Sequence, residues 1–251
     1  MAVQPRPAAT VILLRNGRSG VEILLLKRNA RTRFGPGAFV FPGGAVDAAD
    51  RGVPCPLDDA TASAELGVPR GGLAYRHAAI RECFEEAGIL LAHGADGAPL
   101  DFREPAVRER FAHYRELLRR QELSLAALCE QEALTVYGEQ MLYASHWVTP
   151  AYAPKRFDTR FFLAVAPPGQ QARCCGEETV EQRWVTPDIA LAAQQAGTMD
   201  LMTPTRDTLE RLQRFTSAET VVAELAAGDG NTGSRIPGHG LLEQRFPDPA
   251  H

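Results

Sequence analysis

Residues 80–91 read Ile80-Arg81-Glu82-Cys83-Phe84-Glu85-Glu86-Ala87-Gly88-Ile89-Leu90-Leu91. The apolar residues Ile80, Cys83, Phe84 and Ala87 recur at i, i+3, i+4 and i+7, the period of an amphipathic helix packed on a core. The same period sets Glu82 beside both Glu85 and Glu86 on the opposite face, turned toward solvent or a cleft. Like charges so arranged repel by roughly 0.2–0.5 kcal/mol per pair on an exposed helix, and Arg81 offsets only part of that. A solvated acidic face is one outcome of such a pattern. The other is a hard divalent cation, since Mg²⁺ takes oxygen ligands and turns the repulsion into binding. The helix is expected over Tyr75 to Ala87, with Gly88 as its C-terminal stop.

The segment upstream favours the second outcome. Residues 39–50, Phe-Val-Phe-Pro-Gly-Gly-Ala-Val-Asp-Ala-Ala-Asp, pass from an apolar run into Pro42-Gly43-Gly44, a turn that brings bare backbone close to whatever faces it. Together the two segments resemble the Nudix box, G-x5-E-x7-R-E-U-x-E-E-x-G-U with U aliphatic. Gly44 matches the opening glycine, and Arg81, Glu82, Glu85, Glu86, Gly88 and Ile89 match the closing half. The chain departs from the pattern in three ways. Cys83 replaces an aliphatic residue, Asp50 stands for the glutamate, and 30 residues separate Asp50 from Arg81 where the pattern has seven. The added stretch, residues 51–73, is rich in Gly and Pro around one short helical candidate, Leu57 to Leu66. Its few large apolar residues predict a surface excursion rather than a second domain.

A box split in this way resembles the branch of Nudix hydrolases that includes the mammalian peroxisomal coenzyme A diphosphatase. The run Leu24-Leu25 through Asn29, Arg33 and Gly37 to Phe41-Pro42-Gly43-Gly44 keeps the spacing of the CoA-pyrophosphatase signature L-L-T-x2-S-x3-R-x3-G-x3-F-P-G-G, with Leu26 and Asn29 replacing its Thr and Ser. Two further segments look like that branch, His146-Trp147-Val148-Thr149-Pro150 and Lys155 to Phe162, so the resemblance covers roughly residues 8–215. It implies an α/β fold of the Nudix type, an α/β/α sandwich with a mixed sheet and extra helices. It also implies Mg²⁺ or Mn²⁺ as cofactor, with Glu82, Glu85 and Glu86 as ligands assisted by a carbonyl of Gly43 or Gly44. Glu82 is a further ligand or the base that orients water, and Arg81 locks a neighbouring carboxylate through its fork. Nudix enzymes often recruit a distal acid. Glu177, Glu178 and Glu181 are the candidates, with Glu178 preferred. Substrate phosphates need cations, and Arg28, Arg33, Lys155 and Arg156 are available; Arg33 holds the arginine position of the signature.

Composition and pattern set the frame around this site. A chain of 251 residues, 45% hydrophobic, suits one large α/β domain over residues 1–227, with a Gly- and Pro-rich tail, 228–251, loosely ordered. A net charge of −4 without a basic stripe argues against nucleic acid as a partner. The apolar runs are too short to span a membrane, and a cytoplasmic enzyme is the expectation. The five cysteines lack C-x-x-C spacing, so neither a disulfide framework nor a structural zinc is expected, and the six histidines form no helical metal pair. Strands are predicted at Ala9–Leu14 and Val21–Lys27 as a hairpin about Asn16-Gly17, then near Ala38–Phe41, Gln140–Val148, Thr159–Val165 and Thr179–Val185. Helices are predicted at Pro105–Arg120, after Ser124, from Pro187, and at Pro204–Phe215 and Ala218–Ala227. The helical insertion at 101–134 exceeds a minimal Nudix core and is a lid, an added layer or a homodimer surface.

By the resemblance, the activity expected is hydrolysis of a nucleoside-diphosphate-linked small molecule. Coenzyme A or acyl-CoA is favoured, giving 3′,5′-ADP and phosphopantetheine or its acyl form; ADP-ribose or another nucleotide diphosphate is the alternative. A non-catalytic Nudix-like binding module is the answer of another class. Such modules usually lose box glutamates or add a helix-turn-helix, and neither change is evident in this sequence. If Arg33 contacts ligand, Arg33→Ala will lower kcat/KM on CoA more than on ADP-ribose, by about 1.5–3 kcal/mol for a charge-assisted hydrogen bond. Equal losses on the two substrates would remove the case for CoA specificity.

Overall fold

The computed structural model describes residues 3–32 and 35–227. The expectations placed on Arg33 and on the 228–251 tail lie outside the described residues. The chain opens with a hairpin of β1 (Arg6–Gly17) and β2 (Gly20–Arg28), whose register runs from Leu14 opposite Ile23 to Gly17 opposite Gly20. Two short strands, β3 (Phe39–Val40) and β4 (Gly43–Ala45), flank the Pro42 turn. A single 3-10 turn, Ala48–Asp50, leads into α1 (Asp59–Leu66) and the box helix α2 (Gly72–Ala87). The 90–136 region holds β5 (Ala92–His93), α3 (Pro105–Arg119), α4 (Leu125–Gln131) and β6 (Thr135–Val136). The chain then forms β7 (Leu142–Val148), β8 (Phe157–Val165), β9 (Thr179–Val185), α5 (Pro187–Gln195), α6 (Thr203–Leu212) and α7 (Ala218–Ala227).

The main sheet is mixed. Its order is β3-β2-β1-β8-β7, with β4 paired to β1 and β9 to β2; β1 runs parallel to β8, and the other pairings are antiparallel. Successive residues of a strand point to opposite faces, and here both faces are buried. From β1, Ala9, Val11 and Leu13 enter a core with Ile80, Cys83 and Phe84 of α2, while Ile12 and Leu14 enter a second core with Leu209, Leu212, Val221 and Leu225 of α6 and α7. That division makes the α/β/α sandwich. Near-continuous apolar runs such as Val21 to Leu26 are its sequence signature. Phe111 and Leu118 of α3, with Leu125 and Leu128 of α4, join the α2-side core, so the helical insertion is an added layer on the box helix.

The 51–73 stretch differs from its prediction. It has no core of its own, but it is not a surface excursion: Val53, Ala62 and Leu66 are buried, and Val53 and Leu66 belong to the α2-side core. Gly72 lies so close to the backbone of Ala62 and Ser63 that a Cβ there would fall 2.3 Å from the Ser63 nitrogen. The reason for this intimacy is capping. The N-cap of α2 is Gly71, which has no side chain, and the orphan amides of Gly71 and Leu73 donate instead to Asp59 of α1, at 2.8 and 3.0 Å. Arg76 of α2 also pairs with Glu65. Asp59→Ala is expected to destabilise the protein by about 1–2 kcal/mol, with Asp59→Asn losing less. Urea unfolding of the two variants against the parent measures it, and no change for the alanine would show that the cap is energetically idle.

Candidate active site

The box helix carries its acids to the β4 edge of the sheet. Arg81 is the hub. Its Nε and Nη2 donate to the two oxygens of Asp50 at 2.7 and 3.1 Å, Nη2 also donates to the Ala45 carbonyl at 2.9 Å, and Nη1 reaches Glu82 at 2.9 Å and Glu85 at 3.4 Å. This is a bidentate fork on one carboxylate with the remaining donor shared by two more. Asp50 is wholly buried and also accepts the Asp47 amide at 2.7 Å, while its carbonyl accepts from Nδ1 of the buried His77 at 2.8 Å. That bond places the His77 proton on Nδ1, and burial lowers the ring's pKa, disfavouring its charged form.

Glu82 and Glu85 are mostly covered, with side chains 14% and 17% exposed, and Glu86 is buried outright at 3%. The expectation that all three glutamates face solvent or a cleft therefore fails for Glu86, which turns inward to accept the Gly43 amide at 3.1 Å. Burial raises the pKa of all three. Glu82 is lifted to about 7, with Arg81 acting against the shift and Glu85 and Glu178 adding to it. For Arg81, burial alone would depress the guanidinium, but Asp50, Glu82 and Glu85 outweigh it and the net shift is upward. The glycines earn their place by close approach. A Cβ on Gly44 would lie 2.3 Å from a Glu82 oxygen, and one on Gly43 would lie 2.5 Å from the Ala9 carbonyl.

Glu178 is brought to this group and Arg156 is not. The charge of Glu178 pushes Glu82, Glu85 and Glu86 upward alike. Its neighbours are engaged elsewhere: Glu177 pairs with Arg119 at 2.6 Å, and Glu181 pairs with Arg183 of its own strand β9 and with Lys27 of β2. Asn29, in the serine position of the CoA-type signature, holds the acid loop by donating from its amide to the Glu178 carbonyl and from Nδ2 to the Glu177 carbonyl, both at 2.8 Å. Arg28, next to it, acts favourably on Glu86. Arg156 instead donates to the carbonyls of Thr149 and Val3, bracing the N-terminal segment against the β7–β8 turn. The sequence reading missed the contribution of α3, where Arg115 donates to the Glu85 carbonyl at 3.0 Å and Arg119 reaches Glu177. Its only signal was a pair of arginines at i, i+4 bordering the apolar stripe of Phe111 and Leu118.

The donor set suits a hard divalent cation: carboxylate oxygens in excess over guanidinium groups, partly desolvated, beside bare glycine backbone. With Arg81 and Gly43 engaging these carboxylates, no group of three His, Cys, Asp or Glu side chains among the described residues is gathered as a metal site.

A Nudix-type sandwich with a split box defines the class, and comparison with known proteins agrees. The family model described as the NUDT19 Nudix domain matches residues 54–212, more than half of the chain. The chain therefore belongs to the Nudix hydrolases, within the family that this domain defines. It is 28% identical over 235 residues to the acyl-coenzyme A diphosphatase NUDT19 of Xenopus laevis, covering 80% of this chain and 62% of that protein. To the Homo sapiens protein of the same name it is 28% identical over 232 residues, covering 79% and 62%. The chain thus spans under two thirds of the length of these relatives. Among solved structures it is similar to a Nudix hydrolase from Alicyclobacillus acidocaldarius, with a TM-score of 0.73 and 27% identity over 88% of this chain and 96% of that one.

The raised pKa of Glu82 gives a signed prediction for the metal-free protein. A carboxyl whose folded pKa lies above its usual 4.5 holds its proton in the folded state, so its contribution is present below about pH 4.5 and lost as pH rises through about 7. Glu82→Gln should therefore gain stability relative to the parent between about pH 5 and about pH 8 in EDTA. Thermal unfolding at the two pH values tests this, and a difference independent of pH would refute the burial of that charge.

Proposed function

We propose that the chain is a divalent-cation-dependent diphosphatase that cleaves coenzyme A or an acyl-CoA to 3′,5′-ADP and phosphopantetheine or its acyl form. The observation that carries this reading is the gathering of Glu82, Glu85 and Glu86 around Arg81 and against Gly43-Gly44, where burial leaves their charge undercompensated. The names of the Xenopus and human relatives, acyl-coenzyme A diphosphatases, support the substrate class. Attack on phosphorus builds charge on oxygen, so catalysis is mainly positioning and neutralisation. Glu82, Glu85 and Glu86, with a Gly44 carbonyl, would hold Mg²⁺ or Mn²⁺, which when bound neutralises phosphoryl charge and activates water. Arg81, anchored on Asp50, sets the rotamers of Glu82 and Glu85. Glu82 or the distal Glu178 orients the attacking water. Arg28 and Arg33 are the substrate-facing cations, Arg28 by its proximity to Glu86 and Arg33 by its signature position.

Retention of Glu82, Glu85 and Glu86, the glutamates of the closing half of the box, favours a catalyst over a binding module, because a binder has no use for a cluster whose desolvation costs stability. The test is turnover of CoA, acyl-CoA, ADP-ribose, NADH and diadenosine polyphosphates with and without Mg²⁺, with products identified. CoA or acyl-CoA should be preferred, with metal required. Glu85→Gln and Glu86→Gln should each lose on the order of a hundredfold or more in kcat/KM while remaining folded, since shape is kept and a cation ligand is lost. Full activity of both variants at saturating Mg²⁺ would overturn the site assignment, and absence of CoA or acyl-CoA hydrolysis by the parent would overturn the substrate.

A further inference from the structure

A cavity of about 230 Å³ opens beside the C-terminal end of α2, between α3 and the 169–173 segment. Its floor lies over three buried aromatic rings. Phe102 and Phe111 stack with centroids 4.9 Å apart, and Phe84 meets Phe111 edge-on at 6.5 Å. Its polar lining is dominated by arginine: Arg103, Arg108, Arg115 and Arg173 contribute, and no carboxylate does. In a chain of net charge −4 that concentration is a local reversal of sign. Arg103 is paired with Asp101, and Arg115 is half-buried, donating to the carbonyls of Glu85 and Arg173 at 3.0 and 2.8 Å. Arg108 and Arg173 are exposed and have no ion-pair partner among the described residues.

We infer that this cavity is a second ligand site, distinct from the carboxylate cluster, for a phosphate monoester attached to a flat or short apolar body. Guanidinium forks match the oxygens of phosphate, and a dianion satisfies several arginines where a carboxylate would leave most of them uncompensated. The rings themselves are buried, but the rest of the lining, Ala112, the two glycines and the arginine stems, is partly apolar, so a ligand with an apolar part beside its anion covers more of it than a bare anion does. The volume is below the roughly 300–1,000 Å³ of sites that enclose whole drug-sized ligands, which suits one ring and one phosphate rather than a complete dinucleotide. Arg115 connects the site to the catalytic helix, because the side chain that lines the cavity also holds the Glu85 carbonyl.

The probe is phenyl phosphate, titrated calorimetrically into the full chain in EDTA so that neither metal nor turnover is involved. Saturable binding is expected, at least about tenfold tighter than inorganic phosphate, one decade corresponding to about 1.4 kcal/mol. The double variant Arg108→Glu/Arg173→Glu changes exposed residues and should lose at least about tenfold in affinity with an unchanged circular dichroism spectrum. Ala112→Trp, which places a large side chain at the cavity lining, should abolish binding by occlusion, while Glu86→Gln should bind as the parent does. Unaltered affinity in the double variant, no saturable binding by the parent, or equal affinity for inorganic phosphate would each overturn the proposal. None of these readouts depends on the diphosphatase reading, which stands or falls on metal-dependent turnover. A raised KM for CoA in the double variant would identify the phosphate source as the far end of the substrate, and an unchanged KM with binding lost would identify a separate small molecule.

Discussion

The arrangement turns on the fork between Arg81 and Asp50. Three glutamates on one helical turn are a modest repulsion in water, but against the sheet each buried carboxylate carries a desolvation cost of several kcal/mol unless a cation faces it. Among the described residues Arg81 alone reaches both Glu82 and Glu85, and a guanidinium on a flexible stem holds two acids in place only if it is itself held. Asp50 does this by accepting two of its donors from a fully buried position, with the Asp47 amide and His77 fixing Asp50 in turn. Removing Asp50 would therefore free the arginine and, with it, the orientation of the carboxylates. Glu86 depends on a different contact, the Gly43 amide, which explains why the turn before it must present bare backbone at hydrogen-bonding range.

The interruption of the box is compatible with this geometry because Asp50 and Arg81 meet through space. Lengthening a connection from seven to 30 residues raises loop-closure entropy only as the logarithm of its length, about 1.3 kcal/mol here. Burial of Val53 and Leu66 and the Asp59 cap on α2 stabilise the folded side of the balance. The added residues thus replace what a direct turn would supply, a defined start for the catalytic helix. Asp50 in place of glutamate follows from the same packing: its shorter side chain sits in a buried site that already holds Arg81 and the Asp47 amide.

Long, strongly periodic elements were legible in the sequence. The β1–β2 hairpin, the box helix with its Gly88 stop, β9, and the starts of α3 and α5 agree with expectation, because their apolar patterns and capping residues are local information. β4, β5 and β6 were not legible, since two or three residues carry no period and their strand character comes from partners distant in the chain. The burial of Leu66 and the capping role of Asp59 were hidden for the same reason. Polar residues near a loop read as solvated until the helix they serve is in place. At the site, the identities of the glutamates and of Arg81 could be read from the box pattern, whereas Asp50 as the arginine's anchor and Asn29 as the clamp on the acid loop are three-dimensional facts.

That clamp also explains why the added helices matter to the site. The loop carrying Glu177 and Glu178 would be a hinge if held only by the end of β9. It is fastened on one side by Asn29, just past the end of β2, and on the other by Arg119 from α3, and the Thr179 hydroxyl donates to the Glu86 carbonyl at 3.3 Å. Glu178 is therefore kept near the glutamates by contacts from three elements, although its carboxylate would be repelled from that cluster if it were free to move. Holding like charges together requires such external fastening in the absence of a bound cation. A layer of helices that contributes Arg115 to the Glu85 carbonyl and Arg119 to the acid loop supplies part of it, which ties α3 to the organisation of the site as well as to the packing of the core.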